Sequence, residues 1–134
     1  MEIRSVLLVD DEPDIRAVGE IALAHIGGWD VAVACDGEEA LALVRTKRPD
    51  VVLLDMMMPG MDGLQTLAHL KADPDTSTLP VIFMTAKVLP TEIENYMASG
   101  AIGVIPKPYD PVNLSVRITE IYTENLAGMV EING

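Results

Sequence analysis

The chain has 134 residues, about half of them hydrophobic, which is the size of one ordinary domain and enough to bury a core. Its formal net charge of -12 argues against a nucleic-acid surface, because phosphates would be repelled rather than neutralised. One cysteine, Cys35, leaves no internal disulfide, Met1–Arg4 lacks a signal pattern, and no apolar run nears the ~20 residues of a membrane span, so the expected location is the cytoplasm, away from membranes.

Short apolar runs alternate with segments of helical period. Val6–Val9 reads as the first strand. Ile15, Val18, Ala22 and Ile26 mark a first helix that opens at Pro13 and ends at Gly27-Gly28. Val31–Ala34 is the second strand, and Ala40, Leu41 and Val44 mark the second helix. Val51–Leu54 and the helix of Leu64, Leu67 and Ala68 follow. A polar, proline-containing stretch from Asp73 to Leu79 reads as a surface loop before the strand Val81–Met84. Ile93, Tyr96 and Met97 mark the fourth helix, closed by Gly100. Gly103–Ile105 is a weaker fifth strand, and Leu114, Ile118 and Ile121 mark the last helix. This order predicts an α/β fold, a five-stranded doubly wound parallel sheet with helices on both faces. The domain is expected over residues 3–124. Residues 125–134 are expected to form a short tail, too short for an output domain.

The polar residues are informative by position. Asp10 and Asp11 follow the first strand, Asp55 the third, Thr85 the fourth and Lys107 the fifth. Open α/β sheets bind ligands beyond the carboxyl ends of their strands, so these residues should converge. Crowded carboxylates repel one another, and a hard divalent cation would relieve that through oxygen ligands. A carboxylate can attack phosphorus, a lysine can neutralise the transferring group, and a hydroxyl can bond a phosphate oxygen. Taken singly, an Asp at a strand end is more commonly a cap or turn former, and Lys107 or Thr85 alone would be unremarkable. Their joint placement at four strand ends is harder to explain by caps.

The stretches Val9-Asp10-Asp11-Glu12-Pro13, Leu53-Leu54-Asp55-Met56-Met57-Met58-Pro59-Gly60, Phe83-Met84-Thr85-Ala86 and Pro106-Lys107-Pro108-Tyr109 carry a resemblance to the response-regulator receiver family of two-component signalling, extending from about Ser5 to Glu124. The resemblance implies a flavodoxin-like sheet of strand order 2-1-3-4-5. It implies Asp55 as phosphoacceptor, with Thr85 and Lys107 contacting the phosphoryl group. Asp11 would bind Mg²⁺ directly (Mn²⁺ is the alternative ion), Asp10 usually through water, and Met57 through its backbone carbonyl. It also implies a Lys107-Pro108 bond that is often cis, a histidine kinase or histidine phosphotransfer protein as donor, and a downstream protein target the sequence does not name. The chain would be no enzyme beyond its own phosphorylation and dephosphorylation. Many members carry an aromatic switch residue three positions before the lysine, where this chain has Val104.

Two other readings compete. An aspartyl phosphohydrolase of the haloacid-dehalogenase type needs a second acid two residues after the nucleophile, where Met57 stands. A pseudo-receiver that only binds protein normally lacks an acid, the Thr or the Lys, and none is missing. His25 and His69 read as exposed or half-buried helix residues, Met56–Met58 and Cys35 as buried packing, Trp29 as packing at the domain edge and Tyr109 as packing rather than a switch. Arg45, Lys47 and Arg48 read as favourable charges at a helix C-terminus.

Overall fold

The computed structural model of the chain describes residues 2–133, with side chains as far as residue 128. Strands β1 (Ser5–Val9), β2 (Asp30–Ala34), β3 (Val51–Asp55), β4 (Val81–Thr85) and β5 (Gly103–Pro106) form one parallel sheet in the order β2-β1-β3-β4-β5. Helices α1 (Pro13–Ile21), α2 (Gly37–Lys47), α3 (Gly63–Ala72), α4 (Pro90–Ala98) and α5 (Leu114–Asn133) lie in the connections and after β5.

Successive strand residues point to opposite faces. Leu7, Val9, Val52, Leu54 and Phe83 join Val44, Leu67 and Tyr96 in the core beneath α2, α3 and α4. Val6, Leu8, Val51, Leu53 and Ile82 turn the other way and meet Leu23, Ile118 and Ile121. Both faces of the sheet are therefore covered, which is why the strands read as unbroken apolar runs.

Three local features depart from the sequence reading. The first helix leaves α geometry after Ile21 and makes one π-helical turn, Ala22–Ile26, closed by the Gly27 amide donating to the Ala22 carbonyl at 3.0 Å. Along this helix Gly19, Ala22 and Leu23 are buried, whereas Val18 and Ile26 are exposed. Cys35 is exposed rather than packed. The strand has ended at Ala34, and Asp36 already caps α2 by accepting the Glu39 amide at 2.8 Å. Lastly, α5 continues to Asn133, through the stretch read as a tail; Gly134 lies outside the described residues. No proline interrupts residues 123–133, and Leu126 packs against the core.

Candidate functional site

The chain turns from β1 to β2 on one side of the sheet and returns to β3 on the other. The loops after β1 and β3 part at that point and leave a crevice at the carboxyl edge. Asp10, Asp11, Asp55 and Lys107 meet there. One oxygen from each of Asp10, Asp11 and Asp55 lies within 4.8 Å of the others. Lys107 Nζ stands 2.8 Å from Asp10 Oδ2 and 3.3 Å from Asp55 Oδ2.

Asp10 is completely buried and held from four directions. Its amide donates to the Ala34 carbonyl at 3.1 Å, and its carbonyl accepts from Arg16 Nη1 at 2.8 Å. Its Oδ1 accepts the Glu12 amide at 2.9 Å and its Oδ2 accepts Lys107 Nζ. Asp11 is only half-buried, and one of its carboxylate oxygens joins those of Asp10 and Asp55. Asp55 is buried at the end of β3, and the Gly63 amide at the start of α3 donates to the carbonyl of the next residue, Met56, at 2.9 Å. That approach requires glycine: a Cβ on Gly63 would stand 2.7 Å from the Asp55 carbonyl oxygen and 2.9 Å from Met56 Cα. Asp62 completes the turn by capping α3 in a reciprocal pair with Gln65.

Thr85 is buried one residue beyond Met84, the register partner of Asp55. Its carbonyl accepts the Lys107 amide at 2.9 Å, tying the ends of β4 and β5. Its hydroxyl accepts the Lys87 amide at 3.0 Å. The Lys107-Pro108 bond is cis. The Met57 side chain is 63% exposed, whereas Met56 and Met58 are buried. Val104 is half-buried opposite Phe83. The nearby aromatic is Tyr96 of α4, buried, with its ring centroid 5.5 Å from that of Phe83 and its hydroxyl donating to the Lys87 carbonyl at 3.1 Å.

Burial raises the pKa of Asp55 to about 7, the charge of Asp10 adds to the rise, and Lys107 opposes it. Burial disfavours the Lys107 ammonium, but its bond to Asp10 and the charge of Asp55 outweigh this and raise its pKa. A charged lysine thus stands beside Asp55, whose carboxyl resists ionisation. A folded-state pKa above the unfolded value of ~3.9 means that the native state takes up a proton. The stability from Asp55 is therefore fully present below about pH 4 and lost as pH rises through about 7. In EDTA, the urea midpoint of the wild-type chain is expected to fall relative to that of Asp55→Asn across this window. A constant difference between the two would contradict the assignment.

One contributor went unread in the sequence: Arg16 bonds the Asp10 carbonyl from the first turns of α1. Tyr109 packs against the core as expected, and its hydroxyl also donates to the Ile15 carbonyl at 3.2 Å. Nothing marks Arg16 in the sequence, since a guanidinium on an exposed helix start looks like a surface charge. His25 and His69 are exposed, and Trp29 is half-buried against the core.

A family profile described as "Response regulator receiver domain" matches residues 6–119. The chain is 40% identical over 113 residues to the DNA-binding response regulator MtrA of Mycolicibacterium smegmatis, covering 84% of this chain and 48% of that protein. It is 41% identical to the transcriptional regulatory protein TrcR of Mycobacterium tuberculosis, covering 84% of this chain and 43% of the relative. The chain thus spans about half the length of these curated relatives. Among solved structures, chemotaxis protein CheY4 of Vibrio cholerae superposes with a TM-score of 0.82 at 30% identity, covering 90% of this chain and 99% of that one. The N-terminal domain of a response regulator receiver protein from Methanoculleus marisnigri gives 0.73 at 38% identity, covering 89% and 96%. Among the described residues, no helix is long and apolar enough to cross a membrane.

Proposed function

Because the chain belongs to the response regulator receiver domain family, a signalling module, we propose that it accepts a phosphoryl group on Asp55 from a phosphorylated histidine of a kinase or phosphotransfer protein in the cytoplasm. The observation that carries this reading is the meeting of Asp10, Asp11, Asp55 and Lys107 in one crevice. A carboxylate oxygen of Asp55 forms the new P–O bond as the donor P–N bond breaks, and the departing imidazole takes a proton from water. Lys107 holds its proton and offsets charge on the transferring group. The Thr85 hydroxyl is one residue from the acceptor's neighbour and turns to a phosphoryl oxygen.

An all-oxygen donor set suits a hard divalent ion, and Asp10, Asp11 and Asp55 are the residues that would hold Mg²⁺, with the Met57 carbonyl added by the family resemblance. Such an ion would supply charge neutralisation at the phosphoryl oxygens. Of the two acids after β1, Asp11 would be the direct ligand, because both oxygens of Asp10 are already engaged by Glu12 and Lys107. The test is incubation with a small phosphodonor and Mg²⁺. Mass spectrometry is expected to find one phosphoryl group per chain with no multiple turnover of phosphate esters. Sustained ester turnover would favour a hydrolase instead.

The output works without an aromatic residue at position 104. The Lys87 amide bonds the Thr85 hydroxyl while the Lys87 carbonyl bonds Tyr96, so one residue couples the site to α4. When Thr85 turns to the phosphoryl group it releases the Lys87 amide, and the loop before α4 shifts with Tyr96. Beryllofluoride, a phosphoryl mimic, is expected to change amide chemical shifts from Lys87 to Ser99, and Tyr96→Phe to shrink those changes. Perturbation confined to the surroundings of Asp55 would reject the coupling. The downstream target is a protein that distinguishes these two states of α4.

A further inference from the structure

The guanidinium of Arg16 has no part in the reading above, yet it makes one well-formed bond into the site. It sits in α1, half-buried, with Nη1 2.8 Å from the carbonyl oxygen of Asp10. None of the ion pairs among the described residues includes it. That carbonyl belongs to the peptide plane joining Asp10 to Asp11. A peptide is rigid, so fixing its oxygen fixes the plane and the direction in which the Asp11 backbone leaves it. On the near side the plane is anchored by Asp10, itself held through Ala34, Glu12 and Lys107. On the far side lies Asp11, half-buried and reaching into the open crevice.

We propose that Arg16 is a positioning residue: by clamping the Asp10 carbonyl it aims the Asp11 carboxylate at the divalent-ion site. This rests on the functional reading above and deepens it. The sign of the effect separates positioning from charge. A cation beside a cation site opposes metal binding by simple electrostatics, so removing it should tighten binding if charge alone matters. A clamp acts the other way, and loss of a partner that orients a metal ligand typically weakens metal affinity about 10- to 100-fold.

The experiment titrates Mg²⁺ into wild-type chain, Arg16→Met and Arg16→Lys, following amide chemical shifts of the β1–α1 turn, with circular dichroism to verify the fold. Arg16→Met is expected to bind Mg²⁺ about tenfold more weakly, with displaced Asp11 and Glu12 amide resonances before any metal is added. Arg16→Lys keeps a charge and a donor, and is expected to fall between the two. Should Arg16→Met not fold, the comparison of wild type with Arg16→Lys carries the test, and equal affinity there overturns the proposal. Affinity in Arg16→Met equal to or tighter than wild type overturns it as well. Failure of the wild-type chain itself to bind Mg²⁺ would instead bring down the functional reading, and this proposal with it. The two failures are told apart by which protein shows them.

Discussion

Asp55→Asn is expected to abolish phosphoryl uptake while making the metal-free fold more stable near neutral pH. The substitution is nearly isosteric, so the packing at the end of β3 survives. An amide oxygen, however, is not a nucleophile that can form the acyl phosphate. Labelling by a phosphodonor in Mg²⁺, read by mass spectrometry, should fall to background. The stability gain has a separate origin. Burial and Asp10 hold the Asp55 pKa near about 7, so keeping this residue ionised inside the protein is unfavourable. Asparagine removes that burden and retains an acceptor for Lys107. Loss of activity with gain of stability is the pattern of a site kept strained for function. An adduct that persists in Asp55→Asn at the wild-type level would require another acceptor.

Removing the divalent ion is expected to be nearly as damaging. Charge neutralisation at a transferring phosphoryl group is worth several kcal/mol, which corresponds to a rate loss on the order of a hundredfold or more in EDTA. The two acids after β1 should then separate by phenotype. Asp11→Ala leaves the fold intact and raises the Mg²⁺ concentration needed for labelling, since Asp11 is half-buried and faces the crevice. Asp10→Ala strips partners from the Glu12 amide and from Lys107 in a fully buried position, and should cost about 1–3 kcal/mol of stability. Among folded molecules its Mg²⁺ requirement should rise less than that of Asp11→Ala. Equal labelling in EDTA and in Mg²⁺ would contradict the metal assignment. Equal Mg²⁺ requirements in the two variants would contradict the division of roles.

The sheet was readable from apolar runs because burial on both faces leaves no polar position to blur a strand. The meeting of Asp10, Asp11, Asp55 and Lys107 was readable because residues at or just after strand ends emerge at one edge, and a parallel sheet puts those edges together. The π turn was not readable. It follows the regular α1, in which Gly19 rather than Val18 is buried, and Gly19 carries no hydrophobic signal. Cys35 misled because exposure there depends on where β2 stops, and element boundaries are weakly encoded. Arg16 was invisible for a different reason: it acts on a backbone carbonyl, and residue types say nothing about which carbonyl needs a donor.

The bond between Lys107 and Asp10 joins residues 97 positions apart. A chain emerging from the ribosome has all three acids once Asp55 is out, but it lacks the lysine until β5 has been made and paired with β4. Until then the carboxylates of Asp10 and Asp55 lack their ion pair with Lys107. The site is thus assembled by the whole sheet and by no smaller piece of it. On the proposed function, copies truncated before β5 would lack Lys107 and should fail to take up a phosphoryl group from a small phosphodonor.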